Sequence, residues 1–545
     1  MALIEEISPK GSVLWFRRGL RLHDNPALLK ALSVKQEFYP IFIFDGLSAG
    51  VTKDTSYNRV RFLLECLQDL DEQLQQRMGK LYFIRGDPKN VFEAIHKIKP
   101  LESVSFELDP EPIWASRDNK VKTCLENCGI KWTEEISHTL WDPHEIIETN
   151  GGIPPLTYEM FLHTVSIIGA PPRPVDDPDW TGVQFGKLPQ HLGDDIEVFQ
   201  SIPSPEKLGY FPPKVFSEKI IEWTGGEQKA LLKMNERLKV EENAFLNGFY
   251  LPNQAKPDIL GPPTSQSAAL CFGCLSVRKF YWAIHDMYSR IYSGHSQSNQ
   301  HITGQLIWRE FFYTMCVQNQ YYGEMERNPI CLNISWKEDV QDEIQKWENG
   351  QTGYPFIDAV MRQMHQEGWV HHVARNAVAC FLTRGDLWMN WEIGLRLFLR
   401  LLLDADWCLC AGNWMWVSSS AFEQLLDCSS CVCPVSYGRR LDPQGEYIRR
   451  YIPELRNFPQ EYLYEPWKAP LDVQERAGCF IGREYPDRMV DHADASQKNR
   501  RMMRDLRLSL VDDTPHCCPS NVEEVRQFMW LPESCTDHLC ETEKV

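Results

Sequence analysis

The sequence has no long apolar segment. Within its 545 residues no apolar run approaches the roughly 18 residues that a membrane-spanning helix needs, and the longest candidate, residues 395–403, is broken by Arg396 and Arg400. The opening residues, MALIEEISPKGSV, carry neither the basic segment nor the apolar core of a secretory signal. These absences predict a soluble intracellular protein with no membrane partner, in which the 18 cysteines are reduced thiols.

Positive charge is in deficit. The chain has 57 Lys and Arg against 75 Asp and Glu, which gives a formal net charge of −18. Proteins that bind nucleic acid neutralise its phosphates with Lys and Arg. The charge therefore argues against a general binder of DNA or of anionic membranes, although a local basic groove is compatible with it.

Several short catalytic motifs are also missing. No GxGxxG follows the first apolar run, and neither GxSxG nor a Walker A sequence is present. The standard dinucleotide fingerprint, hydrolase chemistry and P-loop chemistry therefore have no support. Cys428, Cys431 and Cys433 form a CxxCxC cluster, but no second CxxC or HxxxH pair lies nearby to complete a tetrahedral zinc site. No metal site is predicted.

Periodicity divides the chain into four parts. Short apolar runs alternate with helical stretches, one of which starts at Asn25-Pro26, and this pattern predicts an α/β domain with a parallel, Rossmann-like sheet over residues 1–145. Residues 146–213 are punctuated by Gly and Pro and are predicted to form a connector over the surface. Helical periodicity predicts an all-α domain over residues 214–510.

The last part, residues 511–545, is an acidic tail. Ser520-Asn521-Val522-Glu523 has capping-box spacing and predicts the start of a short helix. Phe528 and Met529 then fall on one face, and Trp530 follows. Two interpretations stay open: ordinary packing of the C-terminus, or a peptide ligand that docks its apolar face into a groove.

Polar residues interrupt the apolar helices of the second half. His372, Arg375 and Asn376 occur in a largely apolar helix, and a buried Arg needs an anion, which Asp404 or Asp406 could supply. A purely structural ion pair would explain these residues equally well if they stood alone.

Other features point to a bound cofactor. Gln305, Trp308 and Arg309 lie on a second apolar helix, and the hydroxyls of residues 264–267 precede a third, where free backbone N–H groups suit a phosphate. Nine of the 18 Trp lie between residues 301 and 420. Together these features fit a large aromatic cofactor with a pyrophosphate, such as FAD, although each of them also has a structural interpretation.

Four motifs carry a family resemblance. They are WFRRGLRLHDNPAL, HITGQLIWREFFYTM, GWVHHVARNAVACFLTRGDLW and LLDADWCLCAGNWMWVSSSAF, and they resemble the photolyase/cryptochrome family. SHTLWDPHEIIETNGGIPPLTYEMFLHTV and EEVRQFMW are similar to the insect light-sensing (type I) cryptochromes. The resemblance spans nearly the whole chain and implies an α/β domain, a long connector and a helical domain that holds FAD.

The resemblance also assigns roles to single residues. It implies an electron-transfer chain from Trp414, nearest the flavin, through Trp391 and Trp336 to Trp388. Trp388 and Trp391 are three residues apart on one predicted helix, a spacing that allows them to be neighbours. The contacts to FAD that the resemblance implies are Arg237, Ser265, Ser267, Gln305, Trp308, His372, Arg375, Asp404, Ala405, Asp406 and Cys410.

Five of these contacts have a more specific implied role. Arg375 and Asp404 resemble the ion pair beside the flavin, and Asp406 resembles a hydrogen-bonding partner of the ring. Cys410 resembles the residue that faces the reactive ring nitrogen. His372 is expected to act in the switch or to hold a proton. Whether an antenna pigment binds the N-terminal domain stays open.

The resemblance implies a blue-light photoreceptor of the circadian clock rather than an enzyme. Light-driven reduction of FAD is expected to release the tail at Phe528, Met529 and Trp530. The implied partners are a Timeless-type clock protein, a Period-type clock protein and an F-box ubiquitin-ligase adaptor, in the cytoplasm and the nucleus, with no nucleic acid. Two alternatives remain: a light-independent transcriptional repressor of the vertebrate type, and a DNA photolyase. Against the latter, Asn376 stands where six-four photolyases have a second His.

Overall fold

A computed structural model describes most of the chain. It covers residues 10–45, 55–217, 221–247, 258–260, 264–292, 302–338, 341–422 and 432–512. The tail residues Phe528, Met529 and Trp530, and also Cys428 and Cys431, lie outside these ranges. Over the described ranges, no helix combines the length and the hydrophobicity that crossing a bilayer requires.

One six-stranded sheet forms the centre of the N-terminal domain. Its strands are β1 Gly11–Phe16, β2 Glu37–Phe44, β3 Tyr82–Arg85, β4 Leu101–Glu107, β5 Lys131–Glu135 and β6 Glu197–Phe199. Their order is β5-β4-β1-β2-β3-β6, and all neighbours are parallel except β3 and β6. Central strand β1 is buried throughout, with Leu14 in one apolar cluster and Val13 in another. This burial on both faces explains its uninterrupted apolar run, and the predicted α/β class is confirmed.

Helices cross between the strands of the sheet. They are α1 Pro26–Ser33, α2 Tyr57–Gln75, α3 Pro88–Ile98 and α4 Ala115–Asn127. Asn25 caps α1, because its Oδ1 accepts the Leu28 N–H at 3.0 Å. Asp87 caps α3 in the same way, and a Pro follows each cap. The helix start predicted at Asn25-Pro26 is confirmed.

The predicted connector contains secondary structure of its own. Helices α5 Pro143–Thr149 and α6 Tyr158–Ile168 lie at its start, and β6 lies near its end. Strand β6 pairs antiparallel with β3, with Phe199 opposite Phe83. The open edge of β3 offers unpaired N–H and C=O groups, which the passing chain satisfies. The Gly and Pro pattern did not indicate this strand, and the domain boundaries themselves stay a prediction.

The second half is helical, as predicted. Its helices are α7 Glu227–Leu246, α8 Ser267–Cys271, α9 Val277–Tyr292, α10 Ile302–Cys316, α11 Gln341–Glu348, α12 Pro355–Glu367, α13 His372–Cys380, α14 Trp391–Leu401, α15 Trp407–Val417, α16 Pro434–Leu441, α17 Glu446–Tyr451, α18 Leu471–Ala477 and α19 His492–Asp512. A π-helical segment, Phe381–Gly385, follows α13. Among the described residues of this half, strand pairing is limited to one isolated bridge.

Helix α14 starts later than the sequence predicts. Asn390 is its cap and accepts the Glu392 N–H at 3.0 Å. Trp388 lies before the cap with φ of 55°, in the left-handed region that a helix excludes. The expectation that Trp388 and Trp391 lie on one helix is therefore wrong, because the helix starts after Trp388.

The expectation of reduced thiols is wrong for one pair of cysteines. Cys316, at the end of α10, and Cys408, at the start of α15, form a disulfide with their Cα atoms 5.9 Å apart. Both residues are fully buried. The packing of α10 against α15 brings them together, which sequence spacing alone did not indicate, because 92 residues separate them.

Candidate functional site

An ion pair joins α13 to the loop before α15. Arg375 Nη2 donates to Asp404 Oδ2 at 2.8 Å, and Arg375 Nε donates to the Val370 carbonyl at 2.9 Å. Of the two candidate carboxylates, Asp404 is therefore the partner of Arg375. Its other oxygen, Oδ1, is buried and has no hydrogen-bond partner within the described part of the chain. Because buried polar atoms are normally paired, this oxygen suits a donor on a ligand.

Asp406 is bound to the N-terminal domain instead. Its Oδ1 accepts from Arg18 Nη1 at 2.6 Å and from the Cys271 thiol at 3.3 Å. Asp406 is almost fully buried. A role for Asp406 against the flavin ring stays a prediction, and this oxygen is already shared by two protein donors.

A second arginine of the N-terminal domain holds the same loop. Arg59, on α2, is fully buried, and it donates to the carbonyls of Leu402 at 2.6 Å and of Ala405 at 2.9 Å. Sequence analysis singled out neither Arg18 nor Arg59. One signal was available for Arg18, which comes two residues after the apolar run Val13–Phe16, where charged residues need partners. Arg59 offered none, because its acceptors are backbone carbonyls far along the chain.

Arg18 lies at the centre of a buried charge cluster. Its guanidinium also contacts Glu111 at 2.5 Å and Asp109 at 3.3 Å. Burial raises the pKa of Glu111 to about 7 even though the charge of Arg18 lowers it. The other Glu111 oxygen accepts the Cys408 N–H of α15 at 3.0 Å. This cluster fixes the loop before α15 and the first turn of α15 to the sheet domain.

The structure brings Arg237 to the hydroxyl segment predicted for phosphate. Arg237 Nη1 donates to Thr264 Oγ1 at 3.0 Å, while its Nε donates to Glu241 at 2.7 Å. The hydroxyls of Ser265 and Ser267 lie 3.0 Å apart at the start of α8. These side chains form one polar segment, and their contact with a phosphate stays a prediction.

Gln305 and Trp308 lie one turn apart on α10. The Gln305 side chain is exposed although both neighbouring residues, Gly304 and Leu306, are buried. Trp308 stacks on Tyr158 of α6, with ring centroids 3.8 Å apart and planes 4° from parallel. Sequence analysis missed Tyr158, which holds the Trp308 ring from the connector side.

Cys410 lies beside the Arg375–Asp404 pair. It sits on α15 with 8% of its surface exposed. Burial raises the pKa of its thiol, and Arg375 and Asp404 act on it with opposite sign. Cys410 is therefore a neutral thiol at neutral pH, within electrostatic range of the Arg375–Asp404 pair.

Two neighbouring histidines begin α13. The His371 and His372 ring centroids lie 4.4 Å apart. Burial lowers the pKa of each to about 4; the charge of His372 lowers that of His371 further, and Arg375 lowers both. Both rings are therefore neutral at pH 7. Asn376 lies one turn after His372 on the same helix.

These pKa values predict a pH dependence of stability. An imidazole with a pKa near 4 when folded and 6.5 when unfolded takes up its proton mainly in the unfolded chain, so stability falls as the pH drops from 6.5 towards 4. We expect the double variant His371→Asn/His372→Asn to lose the pH dependence of stability that these two imidazoles cause. The expected change in the free energy of unfolding is only about 1 kcal/mol, because solvent reaches both rings and screens their charge. Urea unfolding at several pH values measures it. A variant with the wild-type slope would contradict the assignment.

The indoles of the implied chain form two groups. Trp414 on α15 and Trp391 on α14 are almost fully buried, at 2% and 0% exposure. Trp336 and Trp388 are in ring contact, with centroids 5.0 Å apart. Trp336 is the more exposed of that pair, so the outer position assigned to Trp388 stays a prediction.

A glycine makes room for the innermost indole. A Cβ on Gly394 of α14 would lie 2.0 Å from Trp414 Cη2. Gly394 is one turn after Trp391 on α14. Because Gly394 has no side chain, the Trp414 ring packs against α14 close to the turn that carries Trp391. Sequence analysis did not single out Gly394.

Three of the four indoles have an unusual polar environment. The Nε1 atoms of Trp336, Trp391 and Trp414 are buried without a hydrogen-bond partner among the described residues. Trp388 Nε1 donates to the Ser335 carbonyl at 2.9 Å. Buried Trp normally finds an acceptor, and an unpaired N–H costs about 1–3 kcal/mol. Stability alone does not explain this arrangement.

Comparisons with known proteins identify the family. Residues 302–505 match the FAD binding domain of DNA photolyase, and residues 12–179 match the DNA photolyase domain. The chain is 54% identical to Cryptochrome-1 of Aedes aegypti and 52% identical to Cryptochrome-1 of Drosophila melanogaster, in each case over 96% of this chain and 98% of the relative. The chain belongs to the photolyase/cryptochrome family.

A solved photolyase structure agrees with this membership. A class III photolyase from Agrobacterium tumefaciens superposes with a TM-score of 0.75 at 25% identity, over 93% of this chain and 100% of that chain. The predicted family resemblance and the predicted cofactor, FAD, are confirmed by the matches. Asp404 Oδ1, which has no partner among the described residues, and the exposed Gln305 amide offer hydrogen-bonding groups that fit FAD. Within the described ranges no group of three His, Cys, Asp or Glu is arranged to hold a metal.

Proposed function

We propose that the protein is a blue-light photoreceptor of the circadian clock. The observation that carries the proposal is the indole set: two buried rings at α14 and α15, and a contacting pair, Trp336 and Trp388, with one partly exposed member. Cryptochrome-1 of Aedes aegypti and Cryptochrome-1 of Drosophila melanogaster support the assignment, since both match this chain over nearly its full length.

Particular residues would hold the cofactor. Asp404, oriented by Arg375, presents a carboxylate oxygen with no partner among the described residues, and Cys410 presents a neutral thiol within electrostatic range of the pair. When bound there, FAD supplies a ring that absorbs blue light and accepts one electron. The buried surroundings of Trp414 and Cys410 keep water from this side of the site.

The indoles supply the electron. Each is an oxidisable ring, and Trp414, Trp391, Trp336 and Trp388 would lose an electron in turn to the next inner member. Among the described residues, three of the N–H groups have no acceptor. This supports the role, because an oxidised indole that cannot pass its proton to a neighbour keeps its charge available for the next transfer. The Trp388 N–H, in contrast, has an acceptor, the Ser335 carbonyl.

The switch itself is proposed from the neutral histidine and the tail. His372 is uncharged in the resting protein, so a new negative charge nearby would favour its protonation. That change would weaken docking of the tail segment Phe528, Met529 and Trp530 and expose a partner surface. We propose a Timeless-type clock protein, a Period-type clock protein and an F-box ubiquitin-ligase adaptor as partners, in the cytoplasm and the nucleus.

We also propose that the protein does not repair DNA. Asn376 follows His372 by one turn at the position where a second imidazole would be needed, and an amide cannot act as a general acid near neutral pH. The net charge of −18 adds to this argument, since a flipped base must come from a phosphate-bearing strand.

Blue light and one glycine variant test the proposal together. We expect illumination of the purified holoprotein to bleach the oxidised flavin band and to speed proteolytic removal of the tail. Gly394→Ala is expected to slow both several-fold, because the added methyl displaces Trp414. Alanine favours a helix over glycine by about 1 kcal/mol, so helix loss is not an alternative cause.

The matched control is Gly438→Ala. Gly438 is also a helical glycine against an aromatic side chain, with a Cβ that would lie 2.8 Å from Phe356 Cβ, but on α16. Its photoreduction should stay at the wild-type rate. An unchanged flavin spectrum in light, or equal losses in both variants, would refute the proposed electron route.

A further inference from the structure

A cysteine, a histidine and an aspartate meet at the junction of α16 and α19. Cys433 is the residue before α16, partly exposed, with Pro434 at the first helical position. His492 opens α19, and its Nδ1 lies 2.7 Å from Asp386 Oδ1. The Cys433 thiol and the His492 imidazole lie close enough that each shifts the pKa of the other. The order thiol, imidazole, buried carboxylate is that of an activated nucleophile.

The start of α16 adds a donor to the sulfur. Ser436 Oγ donates to Cys433 Sγ at 3.3 Å, and Ser436 contributes to lowering the pKa of the thiol. Cys433-Pro434-Val435-Ser436 is a CxxS sequence at a helix start, where N–H groups favour a negative charge. Burial opposes ionisation of the thiol, but His492 and Ser436 outweigh it and lower the pKa of Cys433 to about 6.

The histidine is held in its charged form. Burial opposes its protonation, but Asp386 and Cys433 raise the pKa of His492 to about 10. The Asp386 side chain is fully buried, so its charge acts in a medium that screens it weakly. Other polar groups nearby are the Tyr354 hydroxyl, which accepts the His492 N–H at 3.1 Å, and the Arg488–Asp491 pair, joined at 2.7 Å.

We propose that Cys433 is a modification site, a thiolate nucleophile that His492 and Asp386 activate for exchange with a small-molecule disulfide. The Cys433 sulfur attacks one sulfur of the reagent, a new S–S bond forms, and the S–S bond of the reagent breaks. The other half leaves with the electron pair as a thiolate and takes a proton from solvent. Cys433 is oxidised to a mixed disulfide and the leaving half is reduced.

Two properties together distinguish Cys433 from the other thiols in the described ranges. It is partly exposed, as Cys128 also is, whereas Cys410 and Cys479, for example, are buried and have raised pKa values. It has an imidazole partner that a carboxylate orients. The proposal goes beyond photoreception, because none of these residues belongs to the flavin-facing set.

The experiment is alkylation of the full-length holoprotein in the dark. Iodoacetamide is added at limiting concentration between pH 5 and 9, and peptide mass spectrometry measures the adduct on Cys433. We expect the wild-type rate to reach half its maximum near pH 6. In His492→Gln the midpoint should move towards about 8.5, the pKa of a free thiol. The rate at pH 6 should then fall about ten-fold. This is less than the loss of thiolate alone would give, because the low-pKa thiolate of the wild type is intrinsically the weaker nucleophile.

Two further variants complete the design. Asp386→Asn should shift the midpoint in the same direction and serves if His492→Gln does not fold. His285→Gln is the matched control. His285 also lies beside an aspartate, with its Nδ1 3.6 Å from Asp286 Oδ1, but it belongs to α9 and not to the junction of α16 and α19. Its profile should equal that of the wild type.

Oxidised glutathione tests the exchange itself. At pH 6.5 in the dark, the wild type should gain one glutathionyl group on Cys433, and a thiol reductant should remove it. Cys433→Ser should gain none at this site. A midpoint near 8.5 in the wild type, or equal rates for the wild type and His492→Gln, would overturn the proposal. Because no light is used, neither result depends on the electron route through the indoles.

Discussion

Trp414→Phe is expected to reduce light-driven bleaching of the flavin band to near the background rate. Phenylalanine keeps most of the apolar volume of the side chain but is far harder to oxidise than an indole. Trp414 Nε1 has no acceptor in the described residues, so the substitution removes no hydrogen bond. Continuous blue illumination with absorption spectroscopy measures the rate. A variant that bleaches as fast as the wild type would show that electrons enter by another route.

Trp347→Phe is the control for packing. Trp347 is fully buried, and its ring lies 6.4 Å from that of Trp414, yet it is not a member of the proposed electron route. Its Nε1 donates to the Val378 carbonyl at 3.3 Å, so this variant loses at least as much structure as Trp414→Phe does. We expect it to retain photoreduction. Equal loss in both variants would indicate disturbed packing rather than a broken electron route.

Arg18→Met is expected to lower the free energy of unfolding by about 3–5 kcal/mol, which is typical when one partner of a buried ion pair is removed. The guanidinium contacts three carboxylates, those of Asp109, Glu111 and Asp406, and each of these side chains is at most 5% exposed. Without Arg18, these charges lose their shared partner in a buried cluster. Chemical denaturation with a fitted midpoint and slope measures the change.

The effect of Arg18→Met should depend on pH in a known direction. Glu111 already has a pKa of about 7 in the folded protein against 4.5 in the unfolded chain, so its protonated form is favoured by folding. The stabilisation of the folded state by protonated Glu111 is fully present below pH 4.5 and is lost as the pH rises through 7. We therefore expect the penalty of Arg18→Met to shrink below pH 7, where Glu111 takes up a proton.

A surface pair provides the comparison for Arg18. Lys10 and Glu102 form an exposed ion pair at 2.8 Å, with side-chain exposures of 49% and 24%. Lys10→Met should cost less than about 1 kcal/mol. If Arg18→Met costs no more than Lys10→Met, the cluster does not hold the loop before α15.

The fold was largely predictable because its signals are local. The uninterrupted run Val13–Phe16 indicated a strand covered on both faces, and an Asx cap before a proline marked the start of α1. Strand β6 was not predictable, because it is three residues long and depends on the free edge of β3. Trp388 is not part of the helix predicted to contain it, because the Asn390 side chain, rather than apolar periodicity, determines where α14 starts.

The site was predictable in composition more than in pairing. Sequence analysis required an anion for Arg375 but could not choose between Asp404 and Asp406, since both lie in the same loop. The choice depends on Arg18, which approaches from a different domain. Gly394 and Tyr158 were missed for a similar reason: each acts through a ring on another helix, which sequence spacing does not reveal.

Arg59 has a consequence for how the chain is made. Its carbonyl acceptor at Ala405 lies 346 residues further along the chain. As synthesis proceeds from the N-terminus, α2 leaves the ribosome long before that acceptor exists, and the donors of Arg59 must remain hydrated until residues 402–405 arrive. A chain terminated before residue 402 would therefore keep a charged side chain in contact with water at a position that the complete protein covers entirely.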